Sequence, residues 1–352
     1  MKYILLCSTI LHYVSSFFIP PPPSALKQAS SGIKHIARNW FIKRAEENGI
    51  PWTALVEKYK DKHTFRTCEA WKYALENRHM CYPPYFLQPF HGYDNGNMNW
   101  DAAIENEAAT RSISANYWKD VDPYICESWL RNNITQTIHR YIENEKIDVP
   151  STILDLGCSI GISTESLARK FPGSRMIGMD LSPYFLSVAS YRSSNSPYRI
   201  EYVHANAESI PLETNSVDLV AIQFMLHEVP VLPTYRVLNE VFRVLKSNGV
   251  IAIVDLEPLR LQDLFNGATF RKWAFDITEP HINDYYKNDM RKVLMKSGFC
   301  NIMKYQNDPL NSVWCAMKMP VQYAEESYTW NVNTTNYNNY PLYYEPRYAI
   351  CP

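Results

Sequence analysis

Apolar residues in the middle of the chain fall into short runs separated by segments of helical period. Thr152 to Leu156 is apolar and β-branched enough for a buried parallel strand, and Ser163 to Lys170 follows with helix-forming residues. The next apolar run, Arg175 to Met179, ends in Asp180. Ile200 to Asn206 alternates as a third strand, and Val217 to Phe224 reads as a fourth. Tyr235 to Lys246 has helical periodicity through Val237, Leu238, Val241, Phe242 and Leu245. Leu245 to Gly249 then reads as a turn before a fifth strand, Val250 to Leu256, and a helix over Asp284 to Lys296 precedes strands near Asn301 to Tyr305 and Ser312 to Met317. Strand and helix in alternation predict an α/β protein with a doubly wound, mostly parallel, seven-stranded sheet of Rossmann-like type. Upstream, Ile50 to Asn77 and Asp101 to Arg140 read as helices, with Trp52, Trp71, Trp118 and Trp129 on faces that pack against the sheet. The Pro- and aromatic-rich stretch from Tyr82 to Trp100 between them is not helical.

The first strand runs into Asp155-Leu156-Gly157-Cys158-Ser159-Ile160-Gly161, a loop whose two glycines let the backbone turn sharply and approach a ligand. Only eleven glycines occur in 352 residues, so two in one such loop are not filler. A dinucleotide fingerprint would need G-x-G-x-x-G, but Ser159 and Ile162 stand where its second and third glycines belong. A Walker loop would need Gly-Lys-Ser or Gly-Lys-Thr, which is missing. Asp180, at the end of the second strand, is placed to hold a ribose diol.

Asp-x-Gly-x-x-x-Gly with an acid on the strand itself resembles the first motif of the class I S-adenosylmethionine-dependent methyltransferases. The resemblance continues in order from Asp148 to Met319. Ala205-Asn206-Ala207-Glu208-Ser209-Ile210-Pro211-Leu212 resembles the family's adenine-side motif, with Asn206 in place of an aspartate, and an amide can both donate to and accept from the adenine edge. The resemblance implies S-adenosyl-L-methionine as cofactor, an antiparallel seventh strand, and cofactor contacts from Asp155, Gly157, Cys158, Ser159, Gly161, Asp180, Leu181, Asn206, Ala207 and Gln223. The segment from Tyr82 to Trp100, with Glu105 to Thr110, resembles one placed before the cofactor domain in plant and algal plastid members, which implies a lid that excludes water. Tyr93, Asn97 and Trp100 are its candidate ligand contacts.

Methyl transfer from a sulfonium is an in-line displacement for which the protein supplies alignment and a dry site, with a base only where the acceptor must lose a proton. His227 and Glu228 follow the fourth strand and Glu257 follows the fifth, on the edge where substrate sits. His227 is the first candidate base, with Glu228 or Glu257 orienting it. Glu279 and His281, before the penultimate helix, are secondary candidates for the acceptor pocket. Asp218 begins a strand, far from that edge, and reads as structural. The expected acceptor is a small molecule of apolar or aromatic character. A fold retained for binding or scaffolding without catalysis is the alternative.

A formal net charge of −1 excludes a broad basic surface for nucleic acid. Eight scattered cysteines, without CxxC or zinc-type His/Cys spacing, indicate neither a metal site nor a disulfide framework. Residues 1–45 read as a targeting presequence: Ile4 to Val14 is too short for a membrane span but suits a secretory signal, and no Asp or Glu precedes Glu46 while Lys27, Lys34, Arg38, Lys43 and Arg44 are basic. A signal followed by a transit-like segment, joined at Ser15 to Pro20, resembles the bipartite presequence of algae with secondary plastids. Plastid delivery is expected, with secretion or an endomembrane location as the alternative and no integral membrane span in the mature chain. The domains expected are thus 1–45 presequence, 46–147 helical and lid segment, 148–320 cofactor domain and 321–352 a Tyr- and Asn-rich tail.

Overall fold

The computed structural model describes residues 38–39, 41–118, 121–264, 275 and 279–319. Most of the expected presequence and the Tyr- and Asn-rich tail lie outside the described residues. The described residues from Ala45 onward belong to one compact unit.

This unit opens with four helices, α1 (Trp52–Lys60), α2 (Lys62–Leu75), α3 (Trp100–Ala115) and α4 (Pro123–Asn144). Then follow β1 (Thr152–Leu156), α5 (Ile162–Lys170), β2 (Arg175–Asp180), α6 (Pro183–Ser193), β3 (Ile200–His204), β4 (Val217–Gln223), α7 (Val231–Val244) and β5 (Leu245–Leu256). The last elements are α8 (Pro258–Leu264), α9 (Ile282–Lys287), α10 (Met290–Lys296), β6 (Phe299–Tyr305) and β7 (Asn311–Lys318). The seven strands form one sheet in the order β3-β2-β1-β4-β5-β7-β6, parallel except where β7 runs antiparallel to both β5 and β6. Central strands are apolar on both faces because helices cover both. Leu154, Leu156, Val220, Ile222, Ile251 and Ile253 pack with α7, α9 and α10. Ile153, Leu219, Ala221, Ala252 and Val254 pack on the other side with α4 and α5.

Several boundaries differ from the sequence reading, each for a local reason. The helix expected over Ile50 to Asn77 breaks at Asp61, whose carboxylate accepts the backbone N–H groups of His63 and Thr64 and so starts a new helix. The helix expected over Asp101 to Arg140 breaks similarly, with Asp122 capping Tyr124 and Ile125 and Pro123 at the first helical position. That expected over Asp284 to Lys296 is split by Asp289, which caps Lys292. Leu245 to Gly249 is not a free turn: Leu245 already pairs with Val217, and a bulge then takes up Lys246 to Gly249 before Val250 pairs with Leu219. Asp218 is structural as read, accepting from Ser151 and Thr152 and pairing with Lys246. Of the four tryptophans, Trp52 is buried, but Trp71 and Trp129 are exposed rather than packed on the sheet. Among the described residues no helix is long and apolar enough to cross a membrane.

The upstream helices are fastened to the sheet domain by a buried charge. Glu107 on α3 accepts from Arg192 of α6 at 2.6 Å, from Arg111 at 2.8 Å and from the Tyr59 hydroxyl at 3.1 Å. Burial alone would raise the Glu107 pKa, but the two arginines overcome it and hold the carboxyl down at about 2. Its contribution to stability is therefore present above the ordinary glutamate range and is lost only as pH falls through about 2. Glu107→Ala leaves Arg192 and Arg111 buried without their carboxylate, and the expected loss is about 3 kcal/mol at neutral pH in urea unfolding. A loss below about 1 kcal/mol would show that these contacts do not carry the attachment.

Candidate functional site

The site lies along the carboxyl edge of β1, β2, β4 and β5, where an open parallel sheet offers ligands a crevice. Gly157 and Gly161 adopt φ of +75° and +80°, and between them Ser159 also has positive φ. A Cβ on Gly161 would collide with the Tyr202 hydroxyl, so that position requires glycine for space as well as for torsion, while Gly157, whose nearest neighbour is the flexible Met225 thioether, requires it for torsion. Asp155, fully buried, accepts from the Ser163 and Thr164 hydroxyls at 2.6 Å each and ties the start of α5 to β1. Burial pushes its carboxyl upward while those hydroxyls oppose the rise.

Asp180 organises the rim. Its two oxygens accept the Ser159 and Ser182 backbone N–H groups, each at 2.8 Å. Burial pushes its pKa up to about 6 against those hydrogen bonds. Four buried polar atoms around this edge have no hydrogen-bond partner: Asp155 Oδ1, Ser159 Oγ, Gln223 Nε2 and Asn97 Oδ1. Buried polar groups are ordinarily satisfied, so a cluster of orphans beside a glycine loop fits a polar ligand such as the amino-acid end and ribose of S-adenosylmethionine. Gln223 is fixed from behind by Arg131 at 3.0 Å, a residue the sequence did not single out. Asn206 turns its oxygen to the Glu208 N–H, leaving its NH2 for a base edge. Leu181 lends its carbonyl to His204, Ala207 packs at the core margin, and Cys158 is a buried thiol pushed far up by burial.

Across the rim sits a second group. After β4 a short 3-10 turn, Leu226–Glu228, carries His227 and Glu228. His227 Nδ1 lies 2.6 Å from Asp255 Oδ1 on β5, and the His227 N–H reaches Asp255 Oδ2 at 3.2 Å. Asp255, not Glu228 or Glu257, is thus the orienting carboxylate. Glu257, two residues further, pairs with Lys304 at 2.6 Å and accepts from Ser312, so it does not join the cluster. Burial disfavours charge on His227, but the Asp255 carboxylate outweighs it and raises the imidazole to about 10. Burial lifts Glu228 to about 7 despite the neighbouring imidazoles.

The segment between α2 and α3 supplies most of the remaining parts. Asn97 donates to Glu228 at 3.5 Å, and its backbone carbonyl accepts from the Ser182 hydroxyl at 2.7 Å. Tyr93 donates to Glu105 at 2.6 Å, and Trp100 packs against Phe65 and Tyr184, so these two shape the segment. Glu279 joins the cluster through His91, at 3.1 Å, whereas His281 stands apart, edge-on to Tyr85. His91 was invisible in sequence among the prolines and aromatics of its segment. Its ligand atom lies within 4.8 Å of those of His227 and Glu228, a grouping that the absence of metal-type spacing had not suggested.

Residues 154–253 match the family model described as a methyltransferase domain. The matched region is a methyltransferase domain. It is 28% identical over 200 residues to malonyl-[acyl-carrier protein] O-methyltransferase of Legionella pneumophila, covering 56% of this chain and 64% of that one. It is 35% identical over 151 residues to demethylmenaquinone methyltransferase of Lactococcus lactis, covering 42% and 54%. The chain therefore spans less than two thirds of the length of these relatives. A solved SAM-dependent methyltransferase from Aquifex aeolicus aligns with a TM-score of 0.41 at 17% identity, over 54% of this chain and 93% of that one. The cofactor of such a methyltransferase domain is S-adenosylmethionine, which the orphaned polar atoms and the glycine cradle accommodate.

A ribose diol donates to Asp180 best when the carboxylate is ionised, so binding and deprotonation of Asp180 are linked. Calorimetry should find S-adenosylhomocysteine affinity level above pH 7 and falling by up to about tenfold per unit below about 6, because the free carboxyl takes up a proton there. In Asp180→Asn the dependence should disappear along with most of the affinity. Affinity that stays constant or rises as pH falls would remove Asp180 from the ribose contact.

Proposed function

We propose that the chain is an S-adenosylmethionine-dependent methyltransferase that methylates a small, apolar or aromatic acceptor bearing an acidic hydroxyl or carbon. The observation that carries this reading is the meeting of two groups on one sheet edge. The glycine loop with Asp180 lies on one side, and the buried His227–Asp255 pair with Glu228 lies on the other. When bound, the cofactor supplies an activated methyl group. The chain aligns the acceptor, excludes water and handles the acceptor's proton.

The cluster meets the last requirement by position. Asp255 fixes the His227 ring so that Nε2 points to Glu228 at 4.0 Å, and Asn97 brings the lid onto the same carboxylate. An acceptor hydroxyl between them can pass its proton to Glu228 and leave an oxyanion aimed at the methyl group, with the protonated His227 beside it to stabilise the charge. Aromatic surface frames the cluster: Tyr285 stands edge-on to His227, and Phe90 lies 4.0 Å from the His91 ring. Such walls favour a planar or apolar molecule. The curated relatives include proteins named for methylating a menaquinone precursor and a malonyl carrier, which supports a small acceptor with an acidic oxygen or carbon.

The test is methyl transfer from isotopically labelled S-adenosylmethionine to a panel of reduced naphthoquinones, benzoquinols, phenols and malonyl thioesters. Transfer to at least one quinol or phenol is expected. Glu228→Gln and His227→Gln should each lower turnover by about 10²-fold or more while S-adenosylhomocysteine binding is retained. Cofactor binding with no transfer across the panel would favour a binding protein that keeps the fold.

A further inference from the structure

We infer that His91, His227, Glu228 and Glu279 form a site for a single divalent cation of the zinc type, at the acceptor side of the cofactor loop. The four residues come from three separate parts of the chain: the turn between Phe90 and Tyr93, the 3-10 turn after β4, and the residue that leads into α9. Nothing in local sequence requires them to meet. His91 Nε2 is 3.1 Å from Glu279 Oε1 and 3.6 Å from Glu228 Oε1. His227 Nε2 is 4.0 Å from Glu228 Oε1 and 4.0 Å from Glu279 Oε2. Ligands held at about 2.0–2.2 Å around a tetrahedral zinc stand roughly 3.3–3.6 Å apart. The ligand atoms of His91, His227 and Glu228 lie within 4.8 Å of one another, so these three side chains close by about 1 Å on an ion and the Glu279 carboxylate turns to supply the fourth position.

Two further observations point to an ion rather than to a chance meeting of side chains. Glu279 is buried, at 6% exposure, and its Oε2 has no hydrogen-bond partner although it faces the His227 ring. An unsatisfied buried carboxylate oxygen is a costly arrangement that a cation removes. The second is the Asp255–His227 contact at 2.6 Å. A carboxylate on Nδ1 holds a proton there, so the proton on Nε2, which faces the cluster, is the one a cation displaces; such an outer carboxylate is the support that metal-bound histidines characteristically have. Charge agrees: Asp255, Glu228 and Glu279 bring three carboxylates against two imidazoles, and a dication balances them without requiring both rings to carry protons. Imidazole with carboxylate favours a borderline first-row ion over Mg²⁺ or Ca²⁺. His91, 39% exposed, forms the solvent side of the site through which the ion enters.

The inference rests on the proposed methyltransferase site and assigns His227 and Glu228 to the ion in the loaded protein, so that their proton-handling role belongs to the ion-free protein, but its test does not depend on methyl transfer. The full chain, stripped with chelator, is titrated with Zn²⁺ by calorimetry and with Co²⁺ by visible absorption. One equivalent of Zn²⁺ and ligand-field bands of nitrogen- and oxygen-bound Co²⁺ are expected. His91→Ala and Glu279→Gln should each weaken Zn²⁺ binding by about 100-fold, and Asp255→Asn by about 10-fold or more through the His227 ring. S-adenosylhomocysteine affinity, measured on the same samples, should stay unchanged in His91→Ala and reports that the protein is folded. Absence of stoichiometric Zn²⁺ binding, or binding that His91→Ala and Glu279→Gln leave intact, overturns the cation site while the methyltransferase reading stands. Loss of S-adenosylhomocysteine binding by the unaltered chain would instead strike that reading and leave the metal titration to be judged alone.

Discussion

The whole site hangs on the Asp180 carboxylate. One oxygen holds the glycine loop through Ser159, and the other holds Ser182 at the start of α6. The Ser182 hydroxyl in turn donates to the Asn97 carbonyl, and the Asn97 amide reaches Glu228. A single partly buried acid thus links the cofactor loop, the lid and the acceptor-side cluster through four hydrogen bonds. The two bonds to the Asp180 carboxylate are charge-assisted, short and directional, so they set the loop against α6, while the last link, from Asn97 to Glu228, is longer at 3.5 Å. Placing the acid at the end of β2 is what makes this possible, because the parallel register of β1 and β2 brings Met179 beside Leu156 and delivers Asp180 to the loop.

The glycine loop and Asp180, which the structure brings together, were legible in the sequence because their constraints are local. Two glycines four residues apart, an apolar strand before them and an acid closing the next strand are all readable from periodicity and spacing. The acceptor half was legible only in part. His227 and Glu228 stand out after a strand, but Asp255 hides within an apolar run, where its register on β5 decides whether it faces His227. Glu257 looked equivalent at two residues' distance. The chain leaves β5 into α8 at that point, and the carboxylate turns to Lys304 instead. His91 depends wholly on the path of a non-helical segment, which hydrophobic pattern does not encode.

The same distinction separates the elements. Buried strands and the helix through Val237, Leu238 and Val241 followed from pattern because both faces of the sheet are covered. The upstream helices were read too long, since an aspartate inside an apolar periodicity gives no sign of acting as a cap until its backbone partners are seen. Asp61 and Asp122 both end up as such caps. The exposed Trp71 and Trp129 likewise show that a large aromatic residue on an amphipathic helix does not by itself say which side is covered.

In the proposed site the glycine loop and Asp180 receive S-adenosylmethionine, with the acceptor approaching from His227 and Glu228. A crystal structure of the chain with S-adenosylhomocysteine tests it most directly. The expected result is ribose hydroxyls on the Asp180 carboxylate, the amino-acid end over Gly157 and the sulfur open toward Glu228. A nucleoside bound elsewhere, or an empty loop at saturating ligand, would contradict it.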